Sequence, residues 1–153
     1  MNQSSHPEIP ALGFARDLTD EERHELSRFG DYVTAEPGQE IIREGDAQEA
    51  LFLVVSGLVH VQTSQSGRTV LLTTLRAGDS LGEVGIFDPG PASATVCANE
   101  FSILWTIGRE KLESFMEARP LASAKLLLNI ATLLCKRLRK TNEKVAVQQA
   151  LIC

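Results

Sequence analysis

The sequence is poor in the features that mark several classes of protein. Its three cysteines, Cys97, Cys135 and Cys153, are too few and too scattered for a disulfide framework or a CxxC metal site. An iron–sulfur sensor would need about four clustered thiolates, so that class is excluded too. No segment approaches the roughly 18 apolar residues of a membrane span, and no secretory leader is recognisable at the N-terminus. We therefore expect a cytoplasmic protein with no membrane partner.

Positive charge and catalytic motifs are also scarce. The 15 Lys and Arg residues are outnumbered by 20 Asp and Glu residues, giving a net charge of −5. Proteins whose main task is to grip nucleic acid usually carry a basic surplus instead. No Ser or Cys is paired with a plausible His base, no carboxylate pair is framed by a cleft motif, and no P-loop or metal-ligand spacing is present. We expect neither an enzyme nor a metal site.

What the sequence does contain divides into three parts. Residues 1–14 read as a flexible N-terminal arm, and the segment "TDEE" has the spacing of a capping box that starts a helix at Thr19. Within residues 15–118, short β-branched runs alternate with Gly- and Pro-containing turns at spacings near ten residues. This texture predicts an antiparallel sandwich or barrel. Its clearest hairpin, "VHVQTSQSGRTVLL", has Gly67 at the turn, where a positive φ is needed.

Residues 119–153 form the third part, a long helix. No Pro or Gly interrupts the chain from Leu121 to about Ala150, which corresponds to a rod of about 45 Å. Apolar residues at a mean spacing of 3.5 indicate a helix that wraps around a partner. We expect a homodimer through residues 121–152; the alternative is a helix packed only on its own sheet. The predicted seam consists of Leu127, Ala131, Leu134, Leu138, Thr141, Val145, Gln148 and Ile152.

Three segments, in this order, resemble the catabolite activator family of cyclic nucleotide-binding domains. They are "GQEIIREGDAQEALFLVVSGLVHV", "GDSLGEVGIFDPGPASATV" and "RLRKTNEKV", and the resemblance runs from about Leu18 to Gln149. It implies a mostly β fold with flanking helices, an eight-stranded jelly-roll-like β-roll (a double-stranded β-helix) with the nucleotide inside. It also implies a long C-terminal dimerisation helix.

The second segment resembles the family's phosphate-binding cassette, and the resemblance implies roles for its residues. Gly82 would let the backbone approach the ligand, where the amides of the following turn could donate to phosphate. Glu83 would accept a hydrogen bond from the ribose 2′-hydroxyl. Ser93 matches a phosphate-bonding Ser or Thr, and Ala94 would place only a small side chain in the wall of the implied pocket.

The third segment implies ligand contacts from the long helix. Thr141 and Asn142 match a helix pair that bonds the base edge from the two subunits, and Arg137 matches an Arg that reaches toward the pocket. The bland alternative is that this pair only sets helix register. The predicted ligand-binding residues are Leu81, Gly82, Glu83, Val84, Gly85, Ala92, Ser93, Ala94, Arg137, Thr141 and Asn142.

One position departs from the family pattern. Ala92 stands where the family carries the Arg that neutralises the cyclic phosphate. Leaving a buried charge without its partner costs roughly 3–5 kcal/mol, or about two to three and a half decades of affinity. The resemblance implies cyclic AMP (cAMP) or cyclic GMP (cGMP) as ligand, and Ala92 argues against both. Arg137, Arg76 or a less charged ligand would have to compensate.

Three functions remain after the sequence analysis. The first is a stand-alone regulatory module that senses a nucleotide or small anion and signals through its dimer helix. The second is an effector-free dimeric interaction protein with a degenerate pocket and a protein partner. The third is a truncated transcription regulator. Since the chain ends soon after the predicted dimer helix, we expect no direct DNA binding by this chain.

Overall fold

A computed structural model describes the backbone of residues 7–152 and the side chains up to residue 150. Residues 1–6 of the predicted arm, Cys153 and the side chain of Ile152 therefore lie outside the described residues. A 3-10 turn at Gly13–Ala15 precedes the first helix. The helices are α1 (Asp20–Ser27), α2 (Glu83–Phe87), α3 (Arg109–Ala118) and α4 (Pro120–Ile152). The strands are β1 (Asp31–Ala35), β2 (Glu40–Ile42), β3 (Ala47–Gln48), β4 (Ala50–Ser56), β5 (Val59–Gln65), β6 (Arg68–Leu75), β7 (Ser80–Leu81), β8 (Gly90–Pro91), β9 (Thr95–Ala98) and β10 (Ser102–Gly108).

The strands form two four-stranded antiparallel sheets and one short pair. One sheet has the order β1-β10-β4-β7, the other β2-β9-β5-β6, and β3 pairs with β8. The predicted hairpin is confirmed as β5 paired with β6. Its turn residues Ser66 and Gly67 have φ values of 51° and 75°, the left-handed pair that matches the twist of a two-residue hairpin. The fold is the predicted mostly β roll with flanking helices.

Two hydrophobic clusters hold the roll together, one on each face of the first sheet. Alternate residues of β4 point to opposite faces, as strand geometry requires. Leu51 and Leu53 join Trp105 in the cluster beneath the helices. Val54 joins the cluster inside the roll, between the two sheets. The cavity described below lies at the end of the roll near β7 and α2.

The segment before α1 differs from its prediction as a flexible arm. In the described part, residues 7–14 pack on the helical face of the roll. Ile9 is fully buried, and its N–H donates to Ser27 Oγ at 2.7 Å. The Phe14 ring centre lies 6.4 Å from that of Trp105. Isolated apolar residues between prolines carry no period, so pattern analysis could not place them in the core.

The base of α4 is tied to the N-terminal elements by polar contacts. Thr19 caps α1 with the predicted capping box, and the buried Glu22 carboxylate also accepts from Lys125 Nζ at 2.7 Å. Asn129 Nδ2 donates to the Phe14 carbonyl at 3.2 Å. These contacts fix where α4 leaves the roll. No helix in the described part of the chain is long and apolar enough to cross a bilayer.

The exposed face of α4 is rotated from the predicted seam. Leu127 and Leu134, assigned to that seam, are partly buried against the core of their own roll, because the inward stripe of α4 is wider than the sequence spacing indicated. The solvent-facing residues alternate steps of three and four along the helix, and we call this set the α4 stripe. It comprises Leu121, Ala124, Leu128, Ala131, Cys135, Leu138, Asn142 and Val145.

The Glu22–Lys125 contact predicts a pH-dependent stability. The Lys125 ammonium and then the Thr19 N–H lower the pKa of Glu22 from its ordinary 4.5. Because the folded-state pKa is the lower one, the stabilisation is present above about pH 4.5 and is lost as the pH falls through the folded value. Glu22→Gln keeps the cap and removes the charge, so it should cost about 1–2 kcal/mol at neutral pH.

Urea unfolding at about pH 7 and pH 3 checks this expectation. The difference between wild type and Glu22→Gln should shrink toward zero at the lower pH. Lys125→Met, which removes the other partner, serves as the matched variant and should not add to the loss in the double mutant. A difference that stays constant across the two pH values contradicts the assignment.

Candidate functional site

The predicted cassette folds as a sharp turn from β7 into the short helix α2. Gly82 sits at the turn with φ of 85°, a left-handed conformation that favours glycine. A Cβ at Gly82 would overlap the Ala50 carbonyl oxygen, and one at Gly85 would overlap the Gln48 side chain and carbonyl. Both glycines therefore allow α2 to lie directly on the backbone that connects β3 with β4.

Glu83 forms the electrostatic centre of the site. Its side chain is only 5% exposed and lies 3.0 Å from Arg137 Nη1. Ser80 Oγ also donates to Glu83 Oε1, and Arg137 Nη2 donates to the Ser80 carbonyl at 2.5 Å. One guanidinium from α4 thus bridges β7 and α2. Hydrogen bonds to a charged group are among the stronger ones in proteins, each contributing roughly 1.5–3 kcal/mol.

A cavity of about 260 Å³ opens beside this bridge, at the end of the roll interior. One wall is apolar, from Val61, Leu75 and Val96 on the second sheet. Nine of the predicted site residues line it, namely Leu81, Gly82, Glu83, Val84, Gly85, Ala92, Ser93, Ala94 and Arg137. The cassette and the helix are thus brought together as the sequence resemblance implied.

Two predicted site residues lie apart from this cavity. Thr141 borders the neighbouring groove between β6 and α4, and its hydroxyl donates to the Arg137 carbonyl at 3.0 Å. Asn142 is exposed on the α4 stripe. Neither residue touches the cavity within one chain. Arg76, considered as a substitute cation, is exposed and does not line the cavity either.

Ala92 brings only a methyl group to the cavity wall. Its N–H donates to the Asp46 carbonyl at 2.8 Å and its carbonyl accepts from the Gly45 N–H at 2.8 Å. The backbone at this position is therefore fixed to the loop after β2. Of the described residues that line the cavity, Glu83, Asp88 and Arg137 are charged. The cavity thus carries one more negative than positive charge.

Sequence reasoning missed Ser80 and Gln48. Ser80 is buried, and its spacing to Glu83 in "SLGE" is that of an N-cap serine and its acidic partner, a signal that could have found it. Gln48 lines the cavity, and its amide Nε2 donates to the Ala50 carbonyl. No local pattern marks Gln48, since its role comes from its packing against Gly82 and Gly85.

A second depression of about 960 Å³ lies between β6 and the outer part of α4, and we call it the basic groove. It is open and shares Arg137 with the cavity. Its charged lining residues are Lys136, Arg137, Arg139, Lys140 and Lys144, with Asp79 and Glu143. Most of the helix's cations therefore face this groove and solvent rather than the cavity. No metal-binding group of three His, Cys, Asp or Glu side chains occurs within residues 7–152.

Fold and site together define a β-roll of the regulatory type with a cavity at one end. The model of the cyclic nucleotide-binding domain family matches residues 32–119, and the chain belongs to this family. It is 35% identical over 112 residues to a CRP-like cAMP-activated global transcriptional regulator of Mycobacterium tuberculosis, covering 71% of this chain and 47% of that protein. It is 34% identical to glutaminase 1 of Bradyrhizobium diazoefficiens, covering 85% of this chain and 21% of the relative.

Solved structures agree with this assignment. The N-terminal domain of a transcriptional regulator from Streptomyces coelicolor is 32% identical, with a TM-score of 0.71 over 86% of this chain and 90% of that one. The Thermus thermophilus catabolite activator protein gives a TM-score of 0.78 at 28% identity over 89% of this chain and 62% of that one. This chain spans about half or less of the curated relatives above.

The packing of Gly82 predicts a local stability requirement. Gly82→Ala places a methyl group against the Ala50 carbonyl and forces a left-handed φ, so it should destabilise the fold by more than about 2 kcal/mol. Gly90→Ala, in β8 after α2, is the matched control, because a methyl group added there would have no neighbouring atom within 4 Å. Urea unfolding measures both variants; equal stability of the two would contradict the close approach.

Proposed function

We propose that this chain is a dimeric regulatory module in which occupancy of the cavity controls the position of α4. The observation that supports this most directly is the bridge from Arg137 to Glu83 and the Ser80 carbonyl. It links the cassette, which lines the cavity, to the helix that would carry the signal. The two side chains of the ion pair are 54 residues apart in the chain, so local structure does not require them to meet.

The bridge gives the cavity a way to bias α4. A ligand hydroxyl that donates to Glu83 shares that carboxylate with Arg137 and so changes the strength of the Glu83–Arg137 contact, as does a ligand acceptor placed near Arg137. Either contact changes the free energy of holding α4 at this position. Coupling of this kind needs only a difference in ligand affinity between the two helix arrangements.

A second copy of the chain is the proposed partner of the α4 stripe. Leu121, Leu128 and Leu138 are 80%, 69% and 61% exposed, and they recur at the spacing of a two-helix seam. That spacing puts Asn142 at an a position, where a single Asn favours two strands in one register. In such a dimer, Asn142 and Thr141 approach the seam from both subunits.

The relatives support a regulatory role. One is named a cAMP-activated transcriptional regulator, and others are a cGMP-dependent protein kinase of Toxoplasma gondii and a regulatory subunit of the cAMP-dependent protein kinase of Yarrowia lipolytica. Because the first of these relatives is a transcriptional regulator, a truncated transcription regulator stays an alternative function for this chain. An effector-free interaction protein is the second candidate, favoured by Ala92 and by an Arg137 that is already paired with Glu83.

A ligand screen separates the module from the effector-free candidate. The panel is cAMP, cGMP, cyclic dinucleotides, adenosine and guanosine, added to the wild-type chain in a thermal unfolding experiment. A ligand at 100 times its Kd stabilises by about 2.7 kcal/mol, which raises the Tm of a domain of this size by several degrees. The same ligand should change hydrogen exchange of α4 near Arg137 as well as exchange of the cassette.

Two results of the screen bear against the module. Stabilisation by no member of the panel supports the effector-free protein. A ligand that stabilises the chain and alters hydrogen exchange in the cassette, but does not alter it in α4, would contradict the proposed coupling. Ala94→Trp is the control. It places a large side chain in the cavity wall, so it should abolish stabilisation by any ligand that binds in the cavity.

Disulfide formation at Cys135 tests the dimer. On the α4 stripe, Cys135 lies on the same face as Leu128 and Leu138, so two copies would meet across a parallel seam within disulfide reach. In a Cys97→Ser and Cys153→Ser background, diamide should produce at least about tenfold more cross-linked dimer than in the control, because Cα atoms more than about 7 Å apart rarely cross-link.

The control moves the thiol by one residue. Cys135→Ser combined with Lys136→Cys places it off the stripe, in the basic groove. Equal cross-linking of the two proteins, measured by non-reducing gel electrophoresis and checked by sedimentation, would rule out the stripe as the seam.

A further inference from the structure

We propose that the cavity selects an uncharged ligand of nucleoside size and disfavours a cyclic phosphate. The inference rests on the proposed function, since it names the ligand class of the same cavity. Its basis is the charge of the described lining residues, where the cation Arg137 is already paired with the buried Glu83 and the remaining charged residue, Asp88, is an exposed carboxylate. Ala92, which lines the same cavity, contributes no charge.

Arg137 is not free to neutralise an anion. It lies 3.0 Å from the buried Glu83 carboxylate and donates a second hydrogen bond to the Ser80 carbonyl at 2.5 Å. To reach a phosphate it must leave Glu83, and a buried carboxylate without its partner is strongly unfavourable. An entering anion would then share the cavity with an unpaired Glu83 carboxylate. A neutral ligand leaves the ion pair intact and avoids this cost.

The cations of the basic groove do not change this balance. Lys136, Arg139 and Lys140 line the groove but not the cavity. All three are exposed, so salt screens their field over about 8–10 Å. Exposed charges of this kind contribute little to binding at a neighbouring site. They favour encounter with anions without providing a partner inside the cavity.

The remaining lining fits a molecule with one flat apolar part and several hydroxyl groups. Val61, Leu75 and Val96 form the apolar wall. The two hydrogen bonds that Glu83 receives from side chains both end on Oε1, so Oε2 can accept from a ligand hydroxyl, as can the exposed Asp88 carboxylate that lines the cavity. A volume of about 260 Å³ lies just below the usual range for drug-sized ligands, about 300–1,000 Å³, which favours a small ligand.

Isothermal titration of the full chain compares adenosine with cAMP and guanosine with cGMP. For at least one pair, the nucleoside should bind at least about tenfold more tightly than its cyclic phosphate, a difference of about 1.4 kcal/mol. The nucleoside affinity should be unchanged between about 50 and 300 mM salt, since no net charge is buried on binding.

Ala92→Arg should reverse the preference, because it supplies a cation opposite the phosphate position. Ala92→Met adds comparable length without charge and should not reverse it. A wild-type chain that binds a cyclic nucleotide more tightly than the nucleoside overturns this inference and leaves the regulatory module standing. Binding of neither class, with Ala92→Arg also inactive, overturns the inference together with ligand control of the module.

Discussion

The contact between Arg137 of α4 and Glu83 of the cassette is the interaction on which the site depends. The Glu83 side chain is 5% exposed and that of Arg137 35%, and the two lie 3.0 Å apart. The Ser80 carbonyl accepts a hydrogen bond from the second guanidinium nitrogen. A buried carboxylate needs such a partner, because its desolvation is costly when it stands alone. This requirement acts on the position of α4 in addition to the apolar packing of the helix against the roll.

Close backbone packing around α2 also shapes this site. Without side chains at Gly82 and Gly85, α2 can lie on the strand connection at Gln48 and Ala50. This approach turns Glu83 inward, where it meets Arg137. Apolar residues of the second sheet also line the cavity. Shape and charge are thus set by separate parts of the sequence, which explains how Ala92 can alter the charge of the cavity while the fold is kept.

Much of this architecture could be predicted from the sequence, because its signals are local. Alternating strand runs, the capping box at Thr19 and the Ser66-Gly67 turn each specify a few neighbouring residues, and the structure confirms them. The cassette segment was located by its resemblance to the family. The same resemblance led to the expectation that the cassette and Arg137 would line one cavity, and both do line it.

The rest required tertiary information. Ile9 packs in the core although no periodicity surrounds it. Leu127 and Leu134 face their own roll, so the exposed stripe of α4 is rotated from the seam that spacing alone indicated. Spacing shows that a helix has an apolar face but cannot tell how wide the inward part of that face is. The ion pair between Arg137 and Glu83 could not be predicted either, because its two residues come from distant segments.

The most direct measurement of the central claim is hydrogen exchange of α4 in Glu83→Gln, without ligand. This substitution keeps the shape of the side chain and removes the charge that holds Arg137, so amides around Arg137 should exchange faster while those at the base near Lys125 stay protected. Glu143→Gln, an exposed change on the same helix, should leave both regions unaltered. Unchanged protection around Arg137 in Glu83→Gln would contradict the account, because Glu83 would then not stabilise the position of α4.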